Sequence, residues 1–322
     1  MKPVSGIAKL QMTALLTMAL IVGVIAGIFA LALWYSGLSG FAGLMAAFLF
    51  SAIVIGIQWW IGPTLIKWLT RMKEISPNEY PWLHRMVEDL SKKAGIPKPK
   101  LYLVFDGTPN AFAFGRTQNS AGIAVRTGLL NMLNKDEVEA VIAHEIGHIK
   151  HNDVIVMTIA SVLPVLLYYL VLILSGREER ERSFAQVMLV FFGAVAARLF
   201  GQLLVLWLSR TREYYADAFS AYATEKPESL MRGLAKITYG LNIAAGRGYE
   251  VNQSMKAFYV GEPSSENITD VANALEIGDE SMLEAALESE RSRAVLEWFS
   301  THPLTVNRII ALNKIRKELK VS

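Results

Sequence analysis

The sequence predicts a membrane protein, mainly α-helical with a small β-sheet, in which four transmembrane helices carry a polar unit of mixed structure. Three observations predict it. Of the 322 residues, 52% are hydrophobic, and the mean hydropathy is positive. From Leu10 to Ile66 there is not one Asp, Glu, Lys, Arg or His. Two further apolar stretches, Val154 to Leu174 and Phe184 to Leu208, follow a charged segment that carries both helix and strand patterns.

The uncharged run of 57 residues from Leu10 to Ile66 would extend about 85 Å as helix, enough for two crossings of a hydrocarbon core roughly 30 Å thick. Ser36-Gly37-Leu38-Ser39-Gly40 breaks it, giving spans at 12–35 and 41–62. The first is too long for the apolar region of a signal peptide, and a second span follows it. Gly23 and Gly27 form a small-xxx-small face suited to close helix packing. Residues 64–153 read as a polar segment with a helix at Glu79 to Ala94 and strands at Lys100 to Phe105 and Gly122 to Val125. Between them, Asn110-Ala111-Phe112-Ala113-Phe114-Gly115 reads either as a core strand or as an edge strand whose backbone grips an extended peptide.

In the second apolar pair, only Arg198 is charged, while the connector Ser175 to Ser183 holds three Arg and three Glu. Two full spans are the simplest reading, with a re-entrant hairpin as the alternative. Arg198 and Gln202 would face protein or a wet cavity, as bundle anchors or as chamber lining. The organisation expected is an N-terminal hairpin over 1–63, a polar part over 64–153, a second hairpin over 154–209 and a second polar part over 210–322. Lys2 and Lys9 before the first span, and Lys67, Arg71 and Lys73 after the second, place both flanks on the cytoplasmic side of the cell membrane. Both termini and both polar parts are then cytoplasmic.

The chemistry sits in His144-Glu145-Ile146-Gly147-His148. In a helix, positions i and i+4 share a face within about 6 Å, so both imidazoles reach one ion, and Glu145, one step round, reaches a water beside it. Alone, the pattern fits an amphipathic surface helix equally well. Asp136 to Ala143 leads into it with good helix formers and no Gly or Pro. A catalytic zinc takes three protein ligands and keeps a fourth position open. His151 lies about 10.5 Å along the helix from His144, too far to join, and reads as a helix-end residue. The chain has no cysteine, which excludes thiolate ligation.

Downstream, Glu213 and Asp217 stand at i and i+4 in Ser209-Arg210-Thr211-Arg212-Glu213-Tyr214-Tyr215-Ala216-Asp217. This pair resembles the second half of a zincin site (HExxH…ExxxD), with Glu213 as third ligand and Asp217 orienting a ligating histidine. The plainer reading pairs the two carboxylates with Arg210 and Arg212 on a solvated helix. Because one motif precedes the third apolar stretch and the other follows the fourth, an even number of crossings brings them to one face.

Taken together, the early apolar pair, Asn-Ala-Phe-Ala at 110–113, the HEIGH helix running into His151-Asn152-Asp153, the second apolar pair, the run at 209–217, and Thr301-His302-Pro303 with Arg308 resemble the HtpX-type membrane zinc metalloproteases. These share a peptidase clan with the CAAX-type prenyl-protein proteases of the endoplasmic reticulum. The resemblance implies a zincin catalytic domain on four transmembrane helices and one zinc ion per chain held by His144, His148 and Glu213. Glu145 would be the catalytic base, and Asn110, Ala111, Phe112, Ala113 and Phe114 would bind substrate. It further implies quality control, the cleavage of unfolded or damaged membrane proteins on their cytoplasmic side. The lipid bilayer and polypeptide substrates are the partners expected, with no nucleic acid and no particular oligomeric state.

His302 would stabilise the oxyanion of amide hydrolysis, approach the metal as a fourth ligand, or cap the helix starting near Pro303; the resemblance favours the first. Arg308 is expected to form a structural ion pair. One segment departs from the family pattern: Glu262 to Glu290 has nine acidic residues and no Lys or Arg. It reads as helical and weakly packed, with Leu275, Ile277, Met282, Leu283 and Leu287 as an apolar stripe, either a docked lid or, the reading preferred, a solvated hairpin.

Two other functions fit parts of the sequence. An intramembrane site-two-type protease needs its HExxH within an apolar span, whereas Lys150, His151, Asn152 and Asp153 put this one at the aqueous boundary. A scaffold keeping zinc for stability alone has no use for Glu145.

Overall fold

The computed structural model describes residues 56–57, 59–160, 163–164, 167, 171, 184–246, 268–291 and 302–321. The first expected span lies outside these residues, as do most of the second, the connector at 175–183 and Thr301. The chain divides into two compact units, Gly62–Val154 with Arg212–Ser322, and Met1–Ile61 with Ile155–Thr211.

The first of these units is built on a mixed four-stranded sheet. Strands β1 (Lys73–Glu74), β2 (Lys100–Val104), β3 (Ala111–Phe114) and β4 (Gly122–Arg126) stand in the order β1-β2-β4-β3. β2 and β4 are parallel, while β1 and β3 are antiparallel to their neighbours. Period-two alternation sends Leu101, Leu103, Ala111, Ile123 and Val125 to the main core. Their neighbours Tyr102, Val104, Phe112, Phe114 and Ala124 form a second cluster on the opposite face, with Ile66 and Met72. Both faces are therefore covered, and β3 is an edge strand.

Helix α1 (Pro81–Ala94) starts with Pro at its first turn and stops at Gly95, whose φ of +70° only glycine adopts freely. A short helix α2 (Thr127–Met132) follows β4. Helix α3 (Lys135–Lys150) begins with a capping box in which Asn134 and Glu137 exchange hydrogen bonds, and Asp136 and Glu137 in its first turn suit the helix dipole. Eleven of its residues are buried, so it runs through the core and not over the surface. Helices α4 (Asp153–Ala160) and α5 (Phe184–Thr224) follow, then α6 (Pro227–Gly246), α7 (Ile268–Ile277), α8 (Glu280–Arg291) and α9 (Thr305–Val321).

The described part of the acidic segment differs from the solvated hairpin preferred on sequence. α7 and α8 bury Ile268, Val271, Ala274, Leu275, Leu283, Ala286 and Leu287 in the main core, while Ile277 is 71% exposed and Met282 is also exposed. Their carboxylates find cations on neighbouring helices: Lys236 with Glu276 at 2.7 Å, Arg316 with Glu280 at 2.8 Å and Lys317 with Glu284 at 2.7 Å. The segment carries no cation because its neighbours supply them.

In the second unit, Ala160, Leu163 and Leu167 pack against Val205 and Leu208. A Cβ on Gly201 would meet Pro164 Cα at 2.9 Å, so glycine permits this close approach. Among the described residues α5 is the one helix long and apolar enough to cross a membrane. Its apolar portion exposes Phe184, Leu189, Phe192, Leu199 and Phe200. Arg198 and Gln202 are exposed as well, and neither is buried against the described residues.

Candidate metal centre

α3 places His144 and His148 one turn apart, in the last two turns of the helix, with Glu145 between them. The C-terminal part of α5 crosses α3 beside them. A Cβ on Gly147 would lie 3.1 Å from Ala216 Cα and 3.3 Å from Ala216 Cβ, so the glycine inside the motif lets the two helices touch. Ser220 Oγ of α5 also donates to Ala140 O at 2.6 Å, taking up a carbonyl of α3. That contact brings Glu213 to the histidines.

The three side chains converge. His144 Nε2 and His148 Nε2 are 3.1 Å apart, and the Glu213 oxygens lie 3.6 Å and 3.4 Å from them. A tetrahedral ion with bonds of about 2.0–2.1 Å sets its ligand atoms about 3.4 Å apart, and the observed distances bracket that value. The far nitrogens are occupied: His144 Nδ1 donates to Asp217 Oδ1 at 2.9 Å and His148 Nδ1 to Asp153 Oδ2 at 2.5 Å. Carboxylates only accept, so each Nδ1 bears the proton and each Nε2 turns a lone pair inward. Two facing lone pairs at 3.1 Å are repulsive unless a cation lies between. The donor set fits a divalent metal with nitrogen and oxygen ligands.

Glu145 lies beside this triad, and its Oε2 accepts the Ala113 N–H of β3 at 2.6 Å. Burial holds its carboxyl above the usual glutamate range, with the nearby histidines opposing the shift and the Glu213 carboxylate adding to it. Asn110 is buried before β3, and its carbonyl accepts the Arg126 N–H at 2.9 Å. Ala111, Phe112 and Phe114 are buried, and Ala113 is partly exposed.

From α9, Arg308 is buried and grips Asp217 through Nε at 2.8 Å and a terminal nitrogen at 2.6 Å; another nitrogen is 3.3 Å from Glu213 Oε2. Burial opposes its charge, but Asp217 and Glu213 outweigh that and raise its pKa above the ordinary value. His302, just before α9, has its Nδ1 3.3 Å from Glu213 Oε2. His151 is the C-cap of α3, its ring edge-on to Tyr215 with centroids 3.9 Å apart.

Sequence reasoning missed Asp153 and Arg212. Asp153 lies five residues beyond His148, and its other oxygen pairs with Arg212. The spacing of Asp153 follows no helix, because a turn separates α3 from α4, and Arg212, read on sequence as a partner of Glu213 and Asp217, pairs with Asp153 instead. The question that finds Asp153 is what faces the far nitrogen of His148.

Residues 77–316 match the model of peptidase family M48. The chain belongs to that family. Within it, the chain is similar to proteins called "Protease HtpX homolog". The one from Methanothermobacter thermautotrophicus is 37% identical over 73% of this chain and 88% of its own length. The relative from Aeropyrum pernix is 34% identical over 95% of this chain and 98% of its own. That from Pyrococcus furiosus is 32% identical over 98% and 99%. The fold is similar to the crystal structure of Ste24p from S. mikatae, with a TM-score of 0.52 at 19% identity, covering 95% of this chain and 67% of the other. As an M48 peptidase the chain is a metallopeptidase, a hydrolase of peptide bonds, which is the enzyme class its sequence predicts.

Proposed function

We propose that this chain is a membrane-integrated zinc endopeptidase that cleaves unfolded or damaged membrane proteins at the cytoplasmic face. The observation that carries the reading is the convergence of His144, His148 and Glu213 beside Glu145. His144, His148 and Glu213 hold one zinc ion. When bound, it supplies Lewis acidity that acidifies a water and polarises a peptide carbonyl. Glu145 takes the proton from that water and returns it to the leaving amine, and its raised pKa suits a group that must do both near neutral pH. Asp217 fixes His144 in the tautomer that can ligate. His302 donates to the negative charge that develops on the carbonyl oxygen.

Substrate lies along β3 as an added strand. Glu145 is hydrogen-bonded to Ala113 N–H, so this N–H points away from β4, toward the strand's outer edge. The base is thus tied to the strand that holds the peptide, which keeps the scissile bond in register with it. Ala111 and the Ala113 carbonyl, the outward-facing backbone groups of β3 not already taken by Glu145, pair with an extended chain whatever its sequence. Four spans carry the site, with both termini cytoplasmic; the apolar exposed face of α5 supports the fourth.

The test is proteolysis of an unfolded membrane substrate by the full chain in detergent, with and without chelator, against Glu145→Gln. Expected are chelator-sensitive cleavage by the parent, a loss of about 10²–10⁴-fold in the variant, and zinc content near one per chain in both. Cleavage retained by the variant would remove Glu145 from the base role. Cleavage by a parent stripped of metal would remove zinc from the reaction.

A further inference from the structure

Each of the two metal-facing histidines has a carboxylate behind it, and each carboxylate has an arginine behind it. For His144 the chain is Asp217 and then Arg308, both buried in the core. For His148 it is Asp153 and then Arg212. We propose that Asp153 is a positioning residue for His148 and that Arg212 holds Asp153 in place, so that the second ligand is oriented as the first is by Asp217 and Arg308. The proposal rests on the zinc reading above.

The local backbone explains how Asp153 arrives there. α3 ends at His151, and Asn152 takes the left-handed conformation with φ +55°, which Asn tolerates better than most residues. Past this turn, Asp153 opens α4 with its carboxylate beside the ring of His148. Arg212 closes this turn. Its terminal nitrogen Nη2 donates to the His151 carbonyl at 2.8 Å, at the end of α3, and also pairs with Asp153 Oδ1. Both side chains are nearly buried, at 11% and 12% exposed, so this is not a solvated surface pair.

An arginine that served only to tie the turn would be satisfied by one oxygen of Asp153. The second oxygen is spent on His148 Nδ1 at 2.5 Å, and His148 Nε2 faces the ion site. Arg212 also directly precedes Glu213 on α5. The same helical turn therefore delivers the third ligand and locks the orientation of the second. Asp153 and Arg212 flank the segment Ile155–Thr211 in the chain.

The experiment measures zinc affinity by chelator competition, and the visible spectrum of the cobalt(II) form, for the full chain in detergent as parent, Asp153→Asn and Arg212→Lys. Expected is a loss of zinc affinity of about 10–100-fold for Asp153→Asn, with an altered cobalt spectrum, while the melting temperature of the metal-free protein stays at the parent's value. Arg212→Lys should weaken zinc in the same direction and by less, and it decides the matter should Asp153→Asn not fold. Zinc affinity within about threefold of the parent, with an unchanged cobalt spectrum, overturns the proposal. So does a metal-free melting temperature that falls while affinity holds, since that marks a purely structural pair. A parent that takes up neither ion would overturn the zinc reading as well, whereas a parent that binds both with variants that match it overturns this inference alone.

Discussion

Replacing Gly147 by Ala would separate the geometry of the site from the stability of the fold. A Cβ there meets Ala216 Cα at 3.1 Å, Ala216 Cβ at 3.3 Å and Phe219 Cδ1 at 3.3 Å, whereas unstrained carbon contacts lie at about 3.5–4.0 Å. The closest atom is backbone, so α5 must move by about 0.5 Å, because no side chain can swing aside. Glu213 stands three residues before Ala216 and moves with it. Metal–ligand distances tolerate about ±0.2 Å, so the triad loses its fit. Overpacking costs about 1–3 kcal/mol, but Ala gains about 1 kcal/mol over Gly within a helix, which leaves a net loss of about 0–2 kcal/mol. The expected variant is folded by circular dichroism, melts close to the parent, and binds zinc at least about tenfold more weakly in chelator competition, a difference of about 1.4 kcal/mol. Parental zinc affinity together with parental cleavage would show that the α3–α5 contact does not set the ligand geometry.

Two further changes probe the rest of the domain. Leu283→Ala should destabilise the protein by about 2–5 kcal/mol in chemical denaturation, since Leu283 is 2% exposed within the main core; a loss under about 0.5 kcal/mol would mean that α8 is not docked. His151 has a pKa pushed down to about 3, chiefly by burial and then by Arg212, while an unfolded histidine titrates near 6.5. Between those values the unfolded chain binds the extra proton, so stability is present above about pH 6.5 and drains away as pH falls toward about 3. The ceiling of that effect is about 5 kcal/mol, and since the ring is partly exposed about half or less is expected. His151→Phe, which keeps the ring against Tyr215, should flatten the acid arm of a stability–pH profile; an unchanged arm would assign the acid sensitivity elsewhere.

What could be read from the residues alone depended on whether local periodicity carried the information. The i, i+4 spacing of His144 and His148, and of Glu213 and Asp217, is a property of one helix each, so four site positions were legible before any fold was known. Strands β2, β3 and β4 were legible because alternation sends their side chains to two different clusters. β1 was not, since Lys73 and Glu74 make a strand of two exposed residues that pairing alone defines. Asp153 escaped because a left-handed Asn152 puts it beside His148 by a turn that no period describes. The docking of α7 and α8 escaped for a different reason. Nine acidic residues looked solvated when counted alone, yet Lys236, Arg316 and Lys317 answer three of them from other helices.

The charges gathered around the site set a constraint that no single contact shows. Glu145, Asp153, Glu213 and Asp217 are four buried or nearly buried carboxylates, and the guanidiniums beside them belong to Arg212 and Arg308. With neutral imidazoles, two negative charges remain uncompensated in an environment where an unpaired buried charge costs several kcal/mol. A divalent cation between His144, His148 and Glu213 removes that excess in full, and a monovalent one only half of it. Without the ion, protons must make up the difference, and the upward shifts at Glu145, from burial, and at His148, where burial opposes the charge but the Glu213 carboxylate outweighs it, leave room for them. Metal affinity and proton uptake are therefore opposite sides of the same charge requirement. The two arginines matter for this reason as much as for geometry, because they lower the buried excess from four charges to the two that one divalent ion can carry.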